Sequence, residues 1–247
     1  MIRDPRGGHN RKRVNEDFFK TWTPDMAYVL GFMFADGSLI DSNASSRTYY
    51  LSFFNNDLNL LTQIKRVLQS DHRIYMKPPK LMAHKNGKYI SHKGYVLRIG
   101  NKNMYYDLID LGLTHRKSNA MHLPYIPSEY FNFFLRGYFD GDGCINLYMA
   151  KNRQTNRLSL LFTSGSTAFL EEISTRIGLQ LKVDPPRYNK SWGAYNLICR
   201  GVKATLVLDY MYSNLRRAPF LERKYLRYLD YKNNLMGPRV KKALGIV

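Results

Sequence analysis

Val-Leu-Gly-Phe-Met-Phe-Ala-Asp-Gly, from Val29 to Gly37, and Leu-Arg-Gly-Tyr-Phe-Asp-Gly-Asp-Gly, from Leu135 to Gly143, are two versions of one run. Each reads as a short apolar helix ending in a small residue, an Asp and a Gly. Gly31 and Ala35 are four apart in the first, as are Gly137 and Gly141 in the second, so each helix carries a stripe of small residues on one face. Two stripes without bulk let helix backbones approach closely. Such contact would bring Asp36 and Asp142 together at the base of the pair. Both carboxylates would then lie at negative helix ends and repel one another, an arrangement that needs a cation. A hard divalent metal bound by carboxylate oxygens is the natural one. A calcium loop starting at Asp140 is a poorer reading, because Cys144 and Ile145 follow and no Glu stands at the required distance.

The surroundings of the two runs repeat as well. Thr23-Pro24-Asp25 is a helix start, with Trp22 placed to staple it. After Gly37, residues 38–40 and 48–54 read as a hairpin, and Leu58, Leu61, Ile64, Val67 and Leu68 mark one face of a helix. Residues 73–77 and 94–99 read as strands joined by a basic loop holding Lys80, His84, Lys85, Lys88, His92 and Lys93. A helix over 103–111 closes this half. The second half replays it: a motif helix begun at Ile126-Pro127-Ser128, a hairpin of 145–149 and 158–162, a helix over 167–177, strands over 181–188 and 194–199, and a helix over 205–212.

Local echoes support a duplication: Leu51-Ser52-Phe53 with Leu158-Ser159-Leu160, Gly94-Tyr95 with Gly193-Ala194-Tyr195, and Arg116-Lys117 with Arg223-Lys224. Asp36 and Asp142 are 106 positions apart, Lys117 and Lys224 107. The division expected is a basic arm (1–20), a first half (21–118), a linker (119–126), a second half (127–231) and a basic tail (232–247).

At 247 residues and 44% hydrophobic, the chain can build a proper core. Its 38 Lys and Arg against 19 Asp and Glu leave a net charge of +19, which points to a polyanion such as nucleic acid. An anionic membrane is the rival partner, but none is expected, since no apolar run is long enough to span and no signal-peptide pattern is present. Two isolated cysteines, Cys144 and Cys199, suit neither a disulfide framework nor a zinc cluster, so an intracellular, reducing compartment is expected, such as one housing an organellar or bacterial genetic element.

The two runs resemble the paired motifs of LAGLIDADG homing endonucleases in their single-chain form, matching in pattern rather than letter for letter, over roughly residues 15–231. The resemblance implies an α+β fold of two pseudo-symmetric αββαββα halves. Each half would hold a four-stranded antiparallel sheet, and together they would form a DNA-binding saddle around a central two-helix interface of Gly31, Ala35, Gly137 and Gly141. It implies Mg²⁺ held by Asp36 and Asp142, helped by the backbone carbonyls of Ala35 and Gly141, with Ca²⁺ supporting binding without cleavage. Family position also suggests Lys102 and Lys203 as basic catalytic residues, with Lys117 and Lys224 in reserve, and Asn55 and Ser164 to orient waters.

The expected DNA contacts on the first sheet are Arg47, Tyr49, Arg73, Tyr75, Lys77, Lys80, Lys88 and Arg98. On the second they are Lys151, Arg153, Arg157, Lys182, Arg187, Tyr188, Lys190 and Arg200. The function implied is a monomeric, site-specific endonuclease that makes a double-strand break in a long asymmetric DNA target. The alternatives are an intron RNA maturase on the same scaffold and a cleavage-inactive DNA-binding regulator.

Overall fold

In the computed structural model, which describes residues 12–42, 48–84, 87–114, 120–149, 156–191 and 193–246, the first motif helix α1 is Pro24–Ala35. Its N-cap Thr23 accepts from the Met26 amide at 3.1 Å, and Pro24 occupies the first turn, where no amide is needed. Every residue from Met26 to Ala35 is buried, so this helix is apolar all round because it lies at the centre. Its partner α4, Phe131–Asp142, is entered through a 3-10 turn, Ser128–Tyr130. Trp22 stacks on Tyr130 with ring centroids 6.2 Å apart, so the predicted staple reaches the start of the other motif helix.

In the first half, α1 runs into β1 (Gly37–Asp41), β2 (Tyr49–Asn55), α2 (Leu58–Val67), β3 (Ile74–Lys77), the small hairpin β4 (Leu81–His84) and β5 (Gly87–Ile90), then β6 (Gly94–Gly100) and α3 (Lys102–Asp110). In the second half, α4 runs into β7 (Gly143–Met149), β8 (Asn156–Ser164), α5 (Thr167–Leu181), β9 (Arg187–Ser191), β10 (Ala194–Arg200) and α6 (Val202–Tyr212). The sheets are antiparallel, with matching orders β1-β2-β6-β3 and β7-β8-β10-β9. The expected α+β architecture of two repeated halves is the one observed.

Register fixes the correspondence between the halves more sharply than composition does. Gly37 opposes Phe53 and Gly143 opposes Phe162, so Phe53 matches Phe162 and Leu51 matches Leu160. The sequence echo had aligned Leu51 with Leu158, two places off. A slip of two keeps the same residues facing inward, so hydrophobic alternation cannot detect it. By contrast, Leu97 and Leu197 oppose Phe53 and Phe162, which upholds the match of Tyr95 to Tyr195. Asp57 and Ser166 cap α2 and α5 through the Leu60 and Phe169 amides, again at equivalent positions.

Three segments differ from expectation. The basic loop after Lys77 contains the hairpin β4–β5. Of the strand expected over 181–188 only the last two residues are in a strand: α5 continues to Leu181, Lys182 turns left-handed with φ 52°, and β9 starts at Arg187, after the prolines at 185 and 186. The chain beyond Leu221, expected only as the end of the second half and a basic tail, forms α7 (Glu222–Asp230), a π turn (Tyr231–Leu235) and α8 (Pro238–Ala243). Helices α2 and α3 cover one face of the first sheet and α5 and α6 one face of the second, while a single apolar core runs through both halves. No helix among the described residues is long and apolar enough to cross a membrane.

Candidate functional site

The two glycines of the motif helices sit where nothing larger fits. A methyl group added to Gly31 would run into the carbonyl of Phe134, and one on Gly137 into the carbonyl of Tyr28. Each glycine thus meets the backbone three residues before the other, as a two-fold relation requires. At the base of the pair, a methyl on Gly141 would collide with Cβ of Ala35 and lie 3.2 Å from the Asp36 amide nitrogen and 3.4 Å from its carboxyl carbon. Asp36 is therefore packed against the residue immediately before Asp142.

Helix ends, strand starts and carboxylates coincide here. Asp36 caps α1, its amide donating to the Phe32 carbonyl, and Gly37 opens β1; Asp142 ends α4 and Gly143 opens β7. β1 and β7 are edge strands of their sheets, so each half-buried carboxylate sits where a motif helix passes into its own sheet. The buried Tyr138 phenol registers both: burial raises its pKa well above the usual range, and the charges of Asp142 and Asp36 raise it further. That hydroxyl donates to the Thr163 carbonyl at 2.6 Å, tying α4 to β8.

Lys224, on α7, is the basic group tied to this base. Its ammonium donates to the carbonyls of Phe139, Asp140 (3.1 Å) and Gly143 (2.6 Å), so all three of its hydrogens are used where α4 passes into β7. Burial lowers its pKa to about 8, against the pull of Asp140 and Asp36. The other lysines lie elsewhere: Lys102 sits over the Tyr106 ring at 5.9 Å, Lys203 donates to the Asp184 carbonyl at 2.5 Å, and Lys117 falls outside the described residues. Asn55 and Ser164 occupy equivalent strand ends, where their side chains accept from the Asp57 and Ser166 amides.

One feature of the second motif was not legible as a site. Asp140 is fully buried; its Oδ2 accepts from the Tyr28 hydroxyl at 2.7 Å and the Leu221 amide at 2.8 Å, next to the buried Arg136. Burial raises its pKa, opposed chiefly by Lys224 and Tyr28. Arg136 in turn donates to the carbonyls of Met211 and Ala218. This network locks α1 and α4 to the segment that presents Lys224.

The uncovered sheet faces carry cations interleaved with aromatics. On the first sheet Leu51, Phe53, Leu97 and Ile99 point toward the helices, which leaves Tyr50, Phe54, Tyr75, Lys77 and Arg98 on the other side. Arg98 lies over Tyr50 at 5.6 Å, Arg73 over Tyr75 at 5.7 Å and Lys77 over Phe54 at 5.5 Å. On the second sheet the same parity puts Arg157, Arg187 and Arg200 on the open face.

Several expected contacts lie elsewhere. Tyr49 packs on Tyr105 and Tyr106 of the covering helix, and Tyr188 donates to Glu171. Lys190 shares the helix-side parity of Tyr195, and Lys182 is the C-cap of α5 rather than a sheet residue. Lys80 and Lys88 belong to the β4–β5 hairpin region. Arg47, Lys151 and Arg153 fall outside the described residues. Tyr50 and Phe54, not among the expected contacts, share the open face, as alternation with Leu51 and Phe53 implies.

No family model and no curated protein matches the sequence. Solved structures do. The LAGLIDADG meganuclease I-AabMI bound to uncleaved DNA is 13% identical, with 85% of this chain and 89% of that one covered and a TM-score of 0.53. The I-LtrWI LAGLIDADG homing endonuclease bound to target DNA is 13% identical, covering 93% and 96%, with a TM-score of 0.51. I-SmaMI bound to an uncleaved DNA target in the presence of calcium ions is 12% identical, covering 92% and 97%, with a TM-score of 0.53. The chain has the LAGLIDADG homing endonuclease fold.

Proposed function

We propose that this chain is a divalent-metal-dependent endonuclease that hydrolyses one phosphodiester in each strand of a long, asymmetric DNA target, acting as a monomer. The observation that carries the reading is the contact of Asp36 with Gly141, which makes neighbours of two carboxylates from distant parts of the chain, in a molecule whose open sheet faces carry Arg and Lys. Two pseudo-equivalent acids suit two cuts. Two halves of different sequence suit a target that is not a palindrome.

The donor set fits a hard cation. Asp36 and Asp142 offer carboxylate oxygens, and the carbonyls of Ala35 and Gly141 are adjacent. Among the described residues no group of three or more His, Cys, Asp and Glu could enclose a metal. A pair of acids leaves most coordination positions to water and phosphate oxygens, which suits Mg²⁺ at a phosphate-cleaving site. When bound, Mg²⁺ would lower the pKa of the attacking water and stabilise charge on the departing oxygen.

The protein's own part is positioning. Lys224 holds the end of α4, and with it the backbone that carries Asp142, while Tyr138 anchors that helix to β8. Lys102 and Lys203 are proposed to contact the phosphates flanking each scissile bond; Lys203 must first release the Asp184 carbonyl. Arg73, Tyr75, Lys77 and Arg98 on one sheet, and Arg157, Arg187 and Arg200 on the other, are proposed to hold the two arms of the duplex.

The test is incubation with a randomised duplex library and Mg²⁺, with the product ends sequenced. Uniform cohesive ends at one sequence are expected. Binding without strand breaks, or breaks at no fixed sequence, would refute the reading.

A further inference from the structure

The β4–β5 hairpin is not a separate feature but the distal half of one ribbon. Lys77 opposes Gly94 in the first sheet and Leu81 opposes Ile90 in the hairpin. Between them, the Ser91 amide donates to the Lys80 carbonyl at 2.8 Å and the Lys80 amide to the Ser91 hydroxyl at 2.9 Å. The register is continuous from Ile74/Leu97 to His84/Gly87. Pro78 and Pro79 supply no amide, so the ladder breaks at that point and the ribbon resumes beyond it.

The second half has no such extension. Its equivalent ribbon, β9–β10, turns back at once from Ser191 to Ala194, with two residues between them against sixteen between Lys77 and Gly94. The first half therefore projects an arm of seven further residue pairs, roughly 20 Å at strand rise, or about six base pairs of duplex.

This arm is built like a surface that meets something. A two-stranded ribbon standing alone is marginal in water. Yet Leu81 and Ile90, paired on one face, are 66% and 70% exposed, and Met82 and Tyr89, paired on the other, are exposed too. Residues 78–93 hold four Lys, two His and no Asp or Glu, which opposes a second copy of the same arm and complements a polyanion. By register parity Leu81, Ile90 and Lys88 continue the face that carries Tyr75 and Lys77.

We infer that the β4–β5 ribbon is an accessory arm that lies on duplex DNA beyond the end of the first sheet, so that the bound site extends further on the side held by the first half. Lys88 meets phosphate, and Leu81 and Ile90 lie against a groove, where apolar side chains of minor-groove proteins are commonly inserted. The inference rests on the proposed DNA-binding function.

The experiment uses a duplex selected from a randomised library by the full chain in Ca²⁺, probed by hydroxyl-radical footprinting. The protected region should reach about six base pairs further from its centre on one flank. Joining Lys77 to Gly94 through an Asn-Gly turn, as the second half does in its own way, should remove that extra protection and leave the other flank unchanged. Lys88→Glu, which leaves the ribbon intact, should weaken binding roughly tenfold on the full site but not on a site truncated at that flank. Equal flanks in the full chain, loss of protection on both sides, or an equal effect of Lys88→Glu on both sites would overturn the arm while leaving the endonuclease reading intact. Failure of the folded full chain to select any duplex would overturn both.

Discussion

Asp36, Asp142, Asp140 and Lys224 are four charged residues at one helix junction with different work. Asp36→Asn and Asp142→Asn remove a charge without changing shape. Each is expected to abolish double-strand breaks in Mg²⁺ while binding in Ca²⁺ stays within a few-fold, measured by plasmid linearisation and gel shift; a variant that still linearises at the parental rate would disprove the assignment. Asp140 differs because it is sealed in. Asp140→Ala strands the Tyr28 hydroxyl, the Leu221 amide and the buried Arg136, and should cost about 3 kcal/mol in urea denaturation. Its raised pKa means that the folded state holds its proton at least as well as the unfolded chain, so protonating Asp140 does not itself drive acid unfolding. The two acids of the second motif look interchangeable on paper; only burial separates them.

At the level of elements, the helix pair depends on the absence of side chains. Gly31→Ala or Gly137→Ala sets a methyl against a carbonyl of the partner backbone, which cannot swing aside, and about 3 kcal/mol of destabilisation is expected by thermal or urea unfolding. A loss under about 0.5 kcal/mol would mean that the helices part easily. The strands make a chemical prediction through their two thiols. Cys144 lies exposed on the open face of β7, whereas Cys199 is buried on the covered face of β10, where burial pushes its pKa up to about 12. At pH 8 only Cys144 should react with iodoacetamide, and saturating target duplex should protect it, as mass spectrometry can read. Rapid modification of Cys199 would contradict the strand parity. Parity also explains which strand residues were legible: inward Leu and Phe announced themselves, but Tyr49 and Tyr50 are the same residue type on opposite faces, and only their alternation with Leu51 and Phe53 tells them apart.

For the whole molecule the governing quantity is charge. With a net +19 and open faces bearing Arg and Lys, affinity for the target should fall steeply with salt, by roughly 10³-fold or more between 50 and 200 mM if at least six phosphates are engaged. Fluorescence anisotropy across a salt series would measure it, and a flat response would count against contact through the sheet faces.

The sequence by itself determined the pairing of the motif helices, the repeated order of elements and a charge surplus suited to a polyanion. Each of these is encoded in local spacing or in summed charge: small residues four apart, alternation along strands, a surplus of Lys and Arg. Tertiary structure alone decided that Lys224 secures the end of α4, that Asp140 is buried and Asp142 is not, and that the first ribbon outreaches the second. Those outcomes depend on which distant backbone comes within hydrogen-bonding range and on a register shared across a proline break, and nothing in a residue's immediate neighbours carries that information.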